Sequence, residues 1–123
     1  MEGLIYPELS YELVGLAFDV YNDLGFGYQE KYYTRAYELL LTRRKKLFKK
    51  EQKCVILFQG RRIGRYFIDF VIENKVVIEF KVGNNFYHQH FKQVIGYLKA
   101  TDLKLGIIIL FTPNGIKTKR IVN

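Results

Sequence analysis

Three ionisable residues stand inside otherwise apolar segments: Asp69 in FIDFVI, and Glu79 and Lys81 in VVIEFKV. An unpaired charge buried in such a segment costs several kcal/mol, so these residues need partners or a metal ion. Glu79 and Lys81 are two positions apart, and an extended chain points them to one face. Glu73-Asn74-Lys75 between the two apolar runs is a hairpin signal. A hairpin centred on Asn74 sets Asp69 directly across from Glu79, with Cβ atoms ~4.5–5.5 Å apart. A slip of one residue would place the two acids on opposite faces, each isolated among Phe, Ile and Val. The apolar pattern accepts either register; the electrostatic cost selects the first. Two carboxylates at that distance repel unless a cation lies between them. Hard oxygen donors on a rigid hairpin suit Mg²⁺ or Mn²⁺. Such an ion activates water and stabilises an in-line displacement at phosphorus. Lys81 could orient that water or neutralise transition-state charge. The competing reading is a structural ion pair of Lys81 with Asp69 or Glu79. The hairpin context, the apolar flanks and the basic balance of the chain favour the metal site.

The elements that must position these residues follow from periodicity and punctuation. Leu13, Val14, Ala17, Val20, Tyr21 and Leu24 recur at helical spacing and predict a helix over residues 10–23. Ser10 is its expected N-cap, with Glu12 in the first turn. Gly25-Phe26-Gly27 ends it. A second helix is predicted over residues 29–47, with Tyr33, Ala36, Tyr37 and Leu40 on one stripe and a basic C-terminal half. Strands follow over 55–59, 64–72 and 75–82, the first turn being Gly60-Arg61-Arg62. The last two strands are apolar on both faces, so the sheet should be covered on both sides. Phe91, Val94, Ile95 and Leu98 predict a third helix over residues 86–100. The run 105–111 is the most apolar and should be a central strand. The tail 116–123 reads as a short strand or a loose end. The expected architecture is one α/β domain, a small mixed sheet flanked by helices in the order ααβββαβ.

Composition bounds the partners. The chain has 123 residues, 49% of them apolar, with 20 basic against 12 acidic residues and a net charge of +8. A basic domain of this size suits nucleic acid, an anionic membrane or acidic proteins. Residues 43–53, RRKKLFKKEQK, hold seven of the basic residues and one acid. They read either as a solvated helix end with a loop or as a contact to a phosphate backbone. Arg61, Arg62 and Arg65, with Lys92 and Lys99, could form a phosphate-facing rim. The ten Tyr and ten Phe could stack on bases, although a core without Trp needs most of them. His88 and His90 diverge by ~200° on a helix and are poorly placed for shared chelation. The single cysteine, Cys54, excludes an intramolecular disulfide and reads as a buried small hydrophobe. No apolar run approaches the ~20 residues of a membrane span. The N-terminal residues lack the pattern of a secretory signal, so a cytoplasmic location is expected.

An Asp on one strand, then Glu-x-Lys on the next, after an acid on an early helix, resembles the PD-(D/E)xK nuclease superfamily. The segment Gly27-Tyr28-Gln29-Glu30-Lys31-Tyr32-Tyr33 is similar to the signature of the small GxxExxY family. LSYELVGLAFDVYNDLGFG before it and QVIGYLKATDLKLGIIILF after the hairpin look like that family's first helix with its glycine turn, and its closing helix and strand. The resemblance implies a restriction-endonuclease-like core. It implies Asp69 and Glu79 as metal ligands with the Phe80 carbonyl, and Glu30 as the helix acid that completes the metal shell or positions water. It implies Lys81 as the catalytic lysine and Gln93 as the helix residue that orients Lys81 or substrate. Ile68 stands where the superfamily name has Pro, and Phe26 where this family's glycine turn usually has Pro. The implied activity is a Mg²⁺- or Mn²⁺-dependent nuclease acting on DNA, with a homodimer as one way to cut both strands. The rival is a catalytically inactive nuclease-fold protein that binds nucleic acid or a protein partner.

Overall fold

A computed structural model describes residues 4–123. Pro7 opens the first helix, α1 (Pro7–Leu24), where its missing N–H and fixed φ suit a first helical position. The expected N-cap therefore shifts: Tyr6, in the left-handed region, is the capping residue. Ser10 lies buried inside the helix, where its Oγ donates to the Pro7 carbonyl and accepts from Arg120. The second helix, α2 (Glu30–Arg43), stops four residues earlier than its periodicity predicts. The four residues beyond it, 44–47, form a turn that leads into a strand.

That strand, β1 (Phe48–Phe58), starts seven residues before the expected one and pairs antiparallel with β2 (Arg61–Ile72). The turn between them is Gln59-Gly60, so Arg61 and Arg62 belong to β2 rather than to the turn. The basic run is thus split. Lys46 reaches Glu12 at 2.7 Å, and Lys50 reaches Glu38 at 3.1 Å from within β1. Strand β3 (Val76–Val82) follows a tight turn, then helix α3 (His88–Thr101), then β4 (Leu105–Thr112) and β5 (Gly115–Val122). The tail is therefore a full edge strand. The five strands lie in the order β1-β2-β3-β4-β5, with β3 and β4 parallel and the other pairs antiparallel.

Both faces of the sheet's middle are covered, as the unbroken apolar runs predict. On one face α1 and α2 pack on Phe70, Ile78, Phe80, Ile107 and Phe111. On the other, α3 packs Val94, Tyr97 and Leu98 on Ile68, Val77 and Ile108. Every residue of β4 is buried, which suits an interior strand covered on both sides. Cys54 is buried on the α3 side as a small hydrophobe. No helix among the described residues is long and apolar enough to cross a membrane.

Helix α3 packs tightly over Gly106 in β4. A Cβ there would meet Val94 Cγ1 at 2.5 Å, inside van der Waals contact. Gly106→Val should therefore lift α3 off the sheet and cost ~1–3 kcal/mol. A lowered urea midpoint would show it, and an unchanged midpoint would contradict the packing.

Candidate active site

The hairpin register is the one centred on Asn74. The β2–β3 ladder pairs Ile72 with Val76, Val71 with Val77 and Phe70 with Ile78, and there it stops. At the next position the side chains take over. The Asp69 N–H donates to Glu79 Oε1 at 2.9 Å, and the Phe80 N–H donates to Asp69 Oδ2 at 2.8 Å. Each carboxylate accepts a backbone proton from the opposite strand, where a continued ladder would use carbonyls. The strands fork at this point. Phe70 and Ile72 face the α1/α2 core, yet Ile68 faces the α3 core. A regular strand would keep all three on one face. The β1–β2 ladder skips the same place, passing from Lys50–Phe70 to Gln52–Ile68, and Glu51 there has φ of 54°. The kink through Glu51 and Asp69 turns β2 away from β3 and opens the space between them.

The acids at the fork are crowded and poorly solvated. Glu79 is only 4% exposed. Lys81 Nζ lies 3.6 Å from Glu79 Oε2, a long ion pair. Burial, then the charge of Glu79, push Asp69 up to about 8 against the pull of the Phe80 N–H and Lys81. Burial also raises Glu79, with the Asp69 N–H and Lys81 opposing. Glu30 is pushed up to about 6, by burial first and by Asp69 second, while Lys81 lowers it. Three acids thus share the field of one lysine, and the structural ion pair alone leaves the group short of positive charge. One oxygen of each strand acid, Asp69 Oδ1 and Glu79 Oε2, accepts no hydrogen bond among the described residues. Carboxylate oxygens that accept no backbone proton, Asp69 Oδ1 and the Glu79 Oε2 that Lys81 meets at 3.6 Å, fit a divalent cation in this charge-deficient site. No three His, Cys, Asp or Glu side chains among the described residues converge into a complete cage. The donor set therefore suits an ion that keeps several waters, as Mg²⁺ does.

Glu30 owes its place to the turn before it. Gly25 and Gly27 have φ of 72° and 121°, a region that favours glycine, and Glu30 is the first residue of α2. The buried Tyr33 hydroxyl donates to the Gly25 carbonyl at 2.6 Å, and its ring stacks on Phe111 with centroids 4.2 Å apart. Tyr37 donates to the Leu13 carbonyl and ties α2 to α1. Tyr33 is therefore a core residue that holds the turn and, through it, Glu30.

Other sequence-predicted residues fall at different distances from the fork. Gln93 is linked through its backbone: its carbonyl accepts the Tyr66 hydroxyl. Among the described residues no hydrogen bond joins the Gln93 amide to Lys81. Arg61, Arg62 and Arg65 lie exposed along β2 beyond the fork, with Arg65 over the Phe67 ring. Lys92 and Lys99 are exposed on α3. Sequence reasoning missed a polar cleft of about 270 Å³ that reaches Asp69, lined by Lys31, Thr34, Arg35 and Lys50 among others. The i, i+4 spacing of Lys31 and Arg35 was its available signal. His90, set aside as a chelator in the sequence, has a buried Nδ1 without a partner among the described residues and a pKa lowered by burial and then by Lys81.

Comparisons with known proteins bear on the family and the fold. A family model described as the PD-(D/E)XK nuclease superfamily matches residues 7–121. Among solved structures, the chain is similar to the crystal structure of SSO0001, with 18% identity and a TM-score of 0.51. That similarity covers 90% of this chain and 65% of the other, and it shows a shared fold. No curated protein matches the chain.

The raised acids fix a sign for the pH dependence of the metal-free protein. Between its ordinary 3.8 and about 8, Asp69 holds in the folded state a proton that the unfolded chain has released. Stability then falls as pH rises through that window, and Glu30 and Glu79 act in the same direction. In EDTA, the protein should melt at a lower temperature at pH 8 than at pH 5.5. Asp69→Asn should raise the pH 8 melting temperature and remove most of the slope; a variant with the wild-type slope would contradict the assignment.

Proposed function

The chain belongs to the PD-(D/E)XK nuclease superfamily, and from that premise we propose that it is a divalent-metal-dependent nuclease that hydrolyses phosphodiester bonds in DNA. Within the superfamily we assign it to the GxxExxY branch, on the Gly27–Tyr33 segment. The observation that carries the activity is the reciprocal pair at the strand fork. Asp69 and Glu79 each spend one oxygen on the opposite backbone; the second oxygen of each takes no backbone proton, and Lys81 lies 3.6 Å from that of Glu79.

Asp69 Oδ1 and Glu79 Oε2 are the proposed ligands of Mg²⁺ or Mn²⁺. The Phe80 N–H faces Asp69, and in an extended strand the carbonyl of the same residue faces the same edge, which supports it as a further ligand. When bound, the cation supplies an activated water and neutralises phosphate charge. Glu30, raised but close enough to feel Asp69 and Lys81, positions that water from α2. Lys81 stabilises charge developing on the phosphate oxygens. The Gln93 carbonyl ties the body of α3 to Tyr66 on β2, and its amide is the proposed contact to Lys81 or substrate. Arg61, Arg62, Arg65, Lys92 and Lys99 contact the phosphate backbone of the bound DNA. The net charge of +8 supports a polyanionic substrate.

The test is incubation of the purified protein with plasmid and with single-stranded DNA in Mg²⁺ or Mn²⁺. Cleavage should require the metal and stop with EDTA. Glu79→Ala should abolish it, and Lys81→Ala should slow it at least about a hundredfold. Salt-sensitive DNA binding without turnover would instead make the chain an inactive binder on a nuclease fold. Activity that survives EDTA or Glu79→Ala would sink the site itself.

A second outcome concerns the rim. Arg62→Ala and Lys92→Ala should each weaken DNA binding by a similar factor on every sequence. Each should also lower the slope of log affinity against log salt by ~1. Sequence-selective losses would contradict a backbone role.

A further inference from the structure

Beyond the fork, β1 and β2 continue as a two-stranded arm that no other strand flanks. From Gln52 to Ile68 it carries Lys53, Arg61, Arg62 and Arg65 and no carboxylate. Tyr66 anchors its base on α3 through the Gln93 carbonyl. From Tyr66 to Arg61 the ribbon projects ~17 Å at ~3.4 Å per residue. Its tip is tightly built: Gln59 and Gly60 have φ of 48° and 79°, the pattern of a type I′ turn that suits a twisted hairpin. Next to that turn the surface is apolar. Leu57, Phe58 and Ile63 are 62%, 60% and 65% exposed, and the ladder shifts by one residue between Ile56 and Leu57, which leaves Ile63 bulged outward.

A ribbon that carries only basic charge, with Arg61 and Arg62 beside its tip, and exposes Val55, Ile56 and Phe67 as well as the three apolar tip residues is an unusual combination for a free surface. A second copy of the chain is a poor occupant, because each arm would bring its arginines, with no acid, against those of the other. Charge complementarity selects a polyanion, and the apolar end selects one with stacked planar groups to enter. We propose that the β1–β2 arm docks on duplex DNA, with Leu57, Phe58 and Ile63 wedging into a base step while Arg61 and Arg62 hold the flanking phosphates. A two-stranded ribbon matches the width of a B-DNA groove, and apolar wedges with flanking arginines unstack and bend duplexes. Asp69 lies at the root of the arm, so the wedge sits ~20–27 Å along β2 from the metal ligands, six residues away at Ile63 and eight at Arg61, the partner of Phe58. The arm thereby makes deformable duplex the substrate class, an inference that rests on the nuclease reading of the fork.

The test uses the full chain and a duplex with 2-aminopurine at successive steps, in Ca²⁺ or EDTA so that nothing is cut. Wild-type protein should raise 2-aminopurine fluorescence at one step and bind with salt-dependent affinity. Leu57→Ser/Phe58→Ser/Ile63→Ser should abolish the rise and lower affinity about tenfold. Its folding is checked by circular dichroism, and Phe58→Ser alone serves if the triple variant does not fold. Arg61→Ala/Arg62→Ala should lower the salt slope by ~2. An unchanged fluorescence rise in the tip variants overturns the wedge while leaving the nuclease reading intact. A wild-type dimer in sedimentation that the tip variant dissolves overturns it in favour of self-association. Wild type that neither binds nor cuts DNA removes the nuclease reading as well.

Discussion

Two carboxylates at one strand fork, one buried and one half-buried, set the terms for the rest of the molecule. Asp69 and Glu79 lie where β2 and β3 part, and each accepts a backbone N–H from the opposite strand. The exchange solves a problem that the parting creates. Strands that separate leave ladder groups unpaired, and a buried unpaired N–H costs about as much as a lost hydrogen bond. Filling those vacancies with carboxylates satisfies the backbone but concentrates negative charge in a poorly solvated place. Lys81 offsets part of it, and the remainder appears as raised carboxyl pKa values. The oxygens that take no backbone proton are what a cation needs. Structural repair of the sheet and the proposed chemistry are therefore the same arrangement.

The surrounding elements serve that fork from three directions. The apolar sheet below it is closed by α1 and α2 on one face and α3 on the other, so the acids have little water to turn to. The glycine turn held by Tyr33 brings Glu30 to the group from α2. The arm of β1 and β2 leaves the fork carrying only basic charge, so the field around the acids turns positive within a few residues. A polyanion approaching the arm would meet attraction first and the acidic centre last.

Much of this was legible in the sequence, for identifiable reasons. The register of the hairpin followed from electrostatics, because only one register lets Asp69, Glu79 and Lys81 share a site, and the ladder from Ile72–Val76 to Phe70–Ile78 has it. The buried strand β4 was plain from its unbroken apolar run. The start of β1 was hidden because Lys49, Lys50 and Lys53 mask a strand that pairs along an exposed edge, where lysines are common. The Ser10 cap failed because Pro7 made an earlier start available. The kink at Glu51 and Asp69 left no local signal, since neither residue type demands it; it lies where β2 parts from β3 while staying paired with β1. The cleft of Lys31, Arg35 and Lys50 joins residues from two elements whose contact no periodicity predicts.

The central claim, that the fork is built to hold a cation, is tested most directly by growing crystals of the protein and soaking them in Mn²⁺. The account predicts a single strong anomalous peak between Asp69 Oδ1 and Glu79 Oε2, lost in Glu79→Gln. Crystals that take up Mn²⁺ elsewhere at high concentration while this position stays empty would contradict it.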